Sequence, residues 1–186
     1  MSGNQRMALI AAVILALDQA TKWLVLCYMG HAEERTVIPG FFKLVHWTNT
    51  GAAWSMFRDS SAMLAIVSLV ALGALFIFRH HFDAHTRLGQ IALGLMFGGI
   101  AGNLVDRLLP SRGHVIDFLY FHVIKRDGNE AGFPAFNIAD SAICIGVALL
   151  FILSWRQEDE GDDGKKAGEE AKKDGASPNP KPAAAD

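Results

Sequence analysis

Net charge is almost missing from this sequence: 17 lysines and arginines stand against 19 aspartates and glutamates, −2 overall with histidine neutral. So even a balance gives no global pull toward nucleic acid or anionic lipid. Cysteine is equally scarce. Cys27 and Cys144 are the only two, both inside apolar runs. They read as small buried hydrophobes rather than a disulfide or metal pair, a closed structural zinc site taking four ligands. No serine stands with a histidine in a recognisable nucleophile arrangement, and no internal repeat is evident. His80, His81 and His85 lie together in one loop, while His114 lacks a ligand set and reads as a surface or interfacial side chain. Metal chemistry and cofactor chemistry are therefore not expected.

Apolar residues are what the chain has in abundance: they make up 51% of its 186 residues, and mean hydropathy is +0.24. Four stretches approach the roughly 18–20 residues that cross about 30 Å of hydrocarbon. They run from Met7 to Tyr28, Ala62 to Phe78, Leu88 to Val105 and Ile138 to Trp155, each bounded by charge, Gly, Pro or Trp. Helices apolar all round, four times over, favour a membrane. The first begins like a cleavable signal sequence, with Arg6 ahead of "MALIAAVILAL", but "WLVLCYM" extends it to spanning length, so it is expected to stay. Gly94, Gly98 and Gly102 form an i, i+4, i+8 stripe suited to close helix packing. The expected fold is therefore an all-α polytopic membrane protein, a four-helix bundle of residues 1–156. Residues 157–186 are charged and rich in Ala, Gly and Pro, with no aromatic or branched aliphatic residue. Such a segment cannot bury enough apolar surface to order itself, and is expected to be a disordered tail.

In an up-and-down bundle, residues 29–61 and 106–137 emerge on one face. Five polar strings converge on that end: "DQATK" (18–22), "NTGAAWS" (49–55), "GGIAGNLVDR" (98–107), "HVIDF" (114–118) and "FNIAD" (136–140). Each has a plain explanation. Asp18 and Lys22, four apart, can neutralise each other. Asn103 suits an interhelical hydrogen bond and Arg107 a snorkelling helix end. Asn137 suits an N-cap with Asp140 in the first turn. Carboxylates at membrane depth are costly, however, and are functional by default. Two of them brought together, Asp117 and Asp140, cannot both ionise easily. One can then accept a proton from water while the other donates to a carbonyl oxygen, which is aspartyl-peptidase chemistry. A proton- or ion-coupled transporter would also hold Asp, Asn and Arg in a bundle. It should show inverted repeats and midplane polar groups, and neither is seen. A membrane scaffold leaves the aspartates unexplained.

The five strings, in this order across four spans, resemble bacterial lipoprotein signal peptidase, signal peptidase II, over nearly the whole chain to residue 156. The resemblance implies an aspartic endopeptidase of the bacterial cytoplasmic membrane. Such an enzyme cuts prolipoproteins immediately before a diacylglyceryl-modified cysteine, with its site near the extracytoplasmic face. It implies a catalytic pair at Asp117 and Asp140. Asn103, Arg107 and Asn137 would orient the pair or bind substrate backbone; Asp18, Lys22, Asn49 and Gly51, with Asp106 and Ala139 in the same strings, would support the site. It also implies diacylglyceryl-modified prolipoproteins, membrane lipid and globomycin-type inhibitors as partners, and a small extracytoplasmic β-structure. The alternation in "FFKLVHW" is consistent with a short strand there. Trp47 and Trp54 suit the headgroup region or substrate contact equally.

Overall fold

The computed structural model describes residues 1–49, 61–82 and 84–155. Gly51, Trp54 and the segment 157–186 lie outside the described residues. By backbone contacts the chain divides into Met1–Leu150, which holds the bundle and its sheet, and Phe151–Asp186. Of the second unit only Phe151–Trp155 is described, as helix with the Phe151 and Trp155 rings edge to face at 5.8 Å.

Among the described residues, four helices are long and apolar enough to cross a membrane. The first, α1, runs Gly3–Tyr28, starting four residues before the apolar stretch because Ser2 and Gln5 form a reciprocal cap. The Ser2 Oγ accepts from the Gln5 N–H at 3.3 Å, and the Gln5 Oε1 accepts from the Ser2 N–H at 2.8 Å. Two otherwise orphaned donors are thereby satisfied, which a hydropathy reading of the polar first turn does not register. α2 runs Ser61–Phe78 and ends in a single 3₁₀ turn, Arg79–His81. α3 runs Arg87–Leu108, capped by the Thr86 hydroxyl accepting from the Gly89 N–H at 2.9 Å. α4 runs Ile138–Trp155.

α3 is the buried helix, and its glycines explain how. A Cβ on Gly98 would lie 2.7 Å from the Ala11 carbonyl oxygen, and one on Gly99 2.5 Å from that of Ala139. Backbone therefore meets backbone between α3 and α1 at Gly98, as the glycine stripe leads one to expect, and between α3 and α4 at Gly99, which lies outside the stripe. At Gly102 the space is taken instead by the Asp18 carboxylate, 2.5 Å from where a Cβ would sit. The outward faces of α1, α2 and α4 carry exposed Leu9, Val13, Ile66, Val70, Ile145 and Val147. A water-soluble protein would not leave them so; hydrocarbon would. The same logic corrects the expectation for Cys27 and Cys144. Both thiols are free and exposed rather than buried, because an apolar position on a membrane helix is as well placed against lipid as in a core.

Among the described residues outside the helices there is one antiparallel sheet of four strands in sequence order: β1 Glu34–Ile38, β2 Phe42–Asn49, β3 Val115–Ile124 and β4 Glu130–Gly132. β1 and β2 follow α1; β3 and β4 lie between α3 and α4. The expected strand in "FFKLVHW" is β2, and it is one of four. "HVIDF" is the larger surprise. Asp117 sits within β3, not in a loop, paired across from Trp47 with a bulge between Leu44 and Trp47. Ile116 and Phe118 pack on Val25 and Met29 at the end of α1, with Leu44, Leu119 and Ile138 around them. This small core seats the sheet on the bundle where α1 ends and α4 begins.

Candidate active site

The first turn of α4 organises the site. The Asn137 Oδ1 accepts from the Asp140 N–H at 2.9 Å, and the Asp140 Oδ2 accepts from the Asn137 N–H at 3.2 Å. This is a capping box built with Asn and Asp, so Asn137 is indeed an N-cap. It is more than that. Its Nδ2 donates to the Asp117 Oδ1 at 2.7 Å, and lies 3.2 Å from the Asn103 Oδ1 and 3.3 Å from the Ile116 carbonyl. One fully buried side chain therefore touches both aspartates.

The remaining carboxylate oxygens are held as well. The Asn49 Nδ2 donates to the Asp117 Oδ2 at 2.9 Å, from the last residue of β2. The Asn103 Nδ2 donates to the Asp140 Oδ1 at 2.7 Å, from α3. β3 and α4 are fastened beside the pair by backbone bonds between Phe136 and both Phe118 and Leu119. Burial pushes the Asp117 carboxyl up to about 7, and the Asp140 charge pushes the same way; the Asn49 and Asn137 bonds and the Lys22 charge work against them. A carboxyl there is half protonated near neutrality, which is where an acid–base group is useful.

Beneath the pair lies a buried ionic cluster. The Lys22 Nζ is 2.8 Å from the Asp18 Oδ2 and 2.6 Å from the Asp106 Oδ2, with all three side chains fully buried. Lys22 also donates to the Asn103 Oδ1 at 2.9 Å, so its third hydrogen points at the residue that holds Asp140. The Asp18 Oδ1 accepts from the Ala139 N–H at 3.0 Å, tying α1 to the start of α4. Asp18 and Lys22 do neutralise each other, as their spacing allows, but they do so as part of a three-helix joint. Arg107 donates to the Asn103 carbonyl at 3.2 Å, and its buried Nε has no partner among the described residues. Its charge is near enough to Asp117 and Asp140 to act on both.

Asp18, Lys22, Asn49, Asn103, Asp106, Arg107, Asp117, Asn137, Ala139 and Asp140 are thus gathered at one end of the bundle; Gly51 is outside the described residues. Two members had not been singled out. Gln19 donates to Asp106 at 3.1 Å, to the Gly102 carbonyl at 3.1 Å and to Asp18 at 3.2 Å. Arg112 forms an ion pair with Asp106 and donates to the Gln19 Oε1 at 3.0 Å. Gln19 lies within "DQATK" and the string could have pointed to it; nothing in the sequence marks Arg112. Chemically, the arrangement offers two carboxyls that can share a proton, a nearby cation, and no rival nucleophile among the described contacts.

Known proteins resemble this chain over most of its length. A profile of the family described as signal peptidase (SPase) II matches residues 10–156. A lipoprotein signal peptidase of Anoxybacillus flavithermus is 37% identical over 150 residues, 81% of this chain and 85% of that one. One from Symbiobacterium thermophilum is 40% identical over 144 residues, 77% of this chain and 90% of that one. Among solved structures, a bacterial membrane enzyme determined by the in meso method superposes with a TM-score of 0.71 at 34% identity. The match covers 83% of this chain and 90% of that one.

Proposed function

Because the chain belongs to the signal peptidase II family, we propose that Asp117 and Asp140 are the catalytic pair with which it cuts. It is an aspartic endopeptidase of a bacterial membrane, crossing it several times, and it removes signal peptides from prolipoproteins. The observation that carries the residue assignment is Asn137, bonded to both aspartates at once. A structural N-cap needs only the bond to its own helix; reaching across to a buried carboxylate on a strand serves the pair.

In this reading the pair holds one proton. The charged carboxylate takes a proton from an attacking water while the protonated one donates to the scissile carbonyl oxygen. Asn49, Asn103 and Asn137 aim the oxygens, and Arg107 is placed to favour negative charge developing beside them. A diacylglyceryl-modified cysteine would be anchored by its acyl chains at the level where α4 begins, so the bond before it arrives at the depth of the pair. Cleavage immediately before that cysteine, a place in the cytoplasmic membrane, a site on the extracytoplasmic face and sensitivity to globomycin-type inhibitors complete the proposal. The peptidase domain would end near residue 156, where the family match ends, leaving 157–186 as an appendage.

The test is reconstitution. Purified protein in liposomes should cleave a diacylglyceryl-modified precursor, leave the unmodified precursor intact, and be blocked by globomycin. Solute flux without cleavage would overturn the proposal. The rate should also depend on pH with a definite sign. Asp117 sits near 7, so the pair loses its last proton as pH rises through about that value. Activity should decline on the alkaline side, and the apparent pKa read from the profile belongs to the pair. A rate constant between pH 6 and 9 would contradict this.

A further inference from the structure

Between α3 and β3 the chain makes a tight turn, with Pro110 following Leu109 and the Arg112 N–H bonding the Leu109 carbonyl at 2.9 Å. Pro pre-sets the backbone for the second position of such a turn. Gly113 follows with φ +66, the left-handed conformation that swings the chain into β3 and toward Asp117. Arg112 points back rather than out. Its side chain is 13% exposed, paired with the fully buried Asp106, and bonded to the Gln19 Oε1 of α1 at 3.0 Å. A loop arginine with no task would be in water.

We propose that Arg112 is a positioning residue for cleavage, clamping the turn to Asp106 and Gln19 and so holding the Asp106–Lys22–Asn103 chain that aims Asp140. The proposal rests on the reading of Asp117 and Asp140 as the working pair. Two observations carry it. The first is continuity: each link from Arg112 to Asp140 is an ion pair or a hydrogen bond, ending in Asn103 to Asp140 at 2.7 Å. The second is charge. Asp18 and Asp106 bring two negative charges into a buried cluster, Lys22 brings one positive, and Arg112 supplies the other. Without it one negative charge is left over beside the pair. A cation suits this post because one nitrogen, the Arg112 Nη1, donates to the Asp106 carboxylate and to the Gln19 amide oxygen together.

The charged and titratable groups around the pair, among the described residues, are Asp18 and Lys22 from α1 and Asp106 and Arg107 from α3. His114 interacts electrostatically with Asp106, His31, His46 and Arg112. Against that background, removing one positive charge makes the pair harder to ionise.

In proteoliposomes with a diacylglyceryl-modified precursor, Arg112→Gln should lower kcat roughly 10–100-fold with KM within about threefold, since small misplacements of reacting groups carry costs of that order. Its alkaline limb should move to higher pH by about half a unit. Arg112→Lys, which keeps the charge and one donor nitrogen, should restore the limb and most of kcat. A normally inserted Arg112→Gln with unchanged kcat and an unmoved limb overturns the proposal. So does a loss of kcat that Arg112→Lys does not relieve and that leaves the limb in place, which would mark a purely structural turn. Should Arg112→Gln fail to insert, Gln19→Leu keeps the test alive: it removes the α1 end of the clamp and should lower kcat severalfold with KM held, whereas wild-type kcat refutes the clamp. Asp140→Asn in the same assay separates the two readings. An active Asp140→Asn refutes the pair itself, while an inactive one beside a fully active Arg112→Gln refutes only the clamp.

Discussion

Asp117→Asn and Asp140→Asn should each reduce precursor cleavage by 10²–10⁴-fold or more, about 3–5 kcal/mol of barrier, with protein still inserted at normal levels. Asparagine keeps the shape of aspartate and can accept from one of its present donors, but it cannot exchange a proton. Each aspartate is held by two donors, Asn49 and Asn137 on one side, Asn103 and the Asn137 backbone on the other. An amide therefore loses one bond and its acid–base role, while replacing a buried charge with a neutral group lightens the cost of burial. Because the two carboxyls act as a unit, the double substitution should be little worse than either single one. Asp127→Asn is the control: that carboxylate is exposed and serves a local turn, accepting from the Asn129 N–H at 3.0 Å. Cleavage of a labelled precursor, normalised to the inserted protein, reads all four. Near-normal turnover by either inserted single variant would remove that residue from the chemistry.

Lys22→Met should be the most destabilising single change in the bundle. It leaves Asp18 and Asp106 fully buried with their shared cation gone, and the Asn103 Oδ1 with only the Asn137 Nδ2 at 3.2 Å in place of two donors. Removing one partner of a buried ion pair costs about 3–5 kcal/mol, because the charge left behind is unmatched. Against a total stability of about 5–15 kcal/mol, that is a large share. Activity should fall with it, since Asn103 carries Asp140. Adding Asp18→Asn to Lys22→Met restores the charge balance against Arg112 and should recover part of the loss. Thermal unfolding in detergent, followed by tryptophan fluorescence, distinguishes the cases; a Lys22→Met midpoint within a degree or two of the parent would refute the account.

What the sequence disclosed depended on whether the physics was local. The spans were legible because hydrocarbon imposes a length on each apolar run, and their polar strings fell at one end by simple alternation of direction. The Ser2–Gln5 cap that starts α1 is written in a three-residue spacing to which hydropathy is blind. β3 was harder. "VIDFLYFHVI" reads as apolar chain, and its partner β2 lies some seventy positions earlier, Asn49 across from Val115. Arg112 was invisible for the same reason: its carboxylate is on the preceding helix, but its amide, on Gln19, is 93 residues away. Asn137 was legible as a cap, and only the fold revealed its second bond.

The place where α4 begins has a consequence of its own. Asp140 is the third residue of that helix, so whatever moves the start of α4 along the membrane normal moves the carboxylate with it. A bilayer whose thickness does not match the bundle must deform around it or bring the polar first turn of α4 toward the acyl chains, at a fraction of a kcal/mol per ångström. Lipid chain length thus becomes a variable of the chemistry, entering through the depth at which one helix starts.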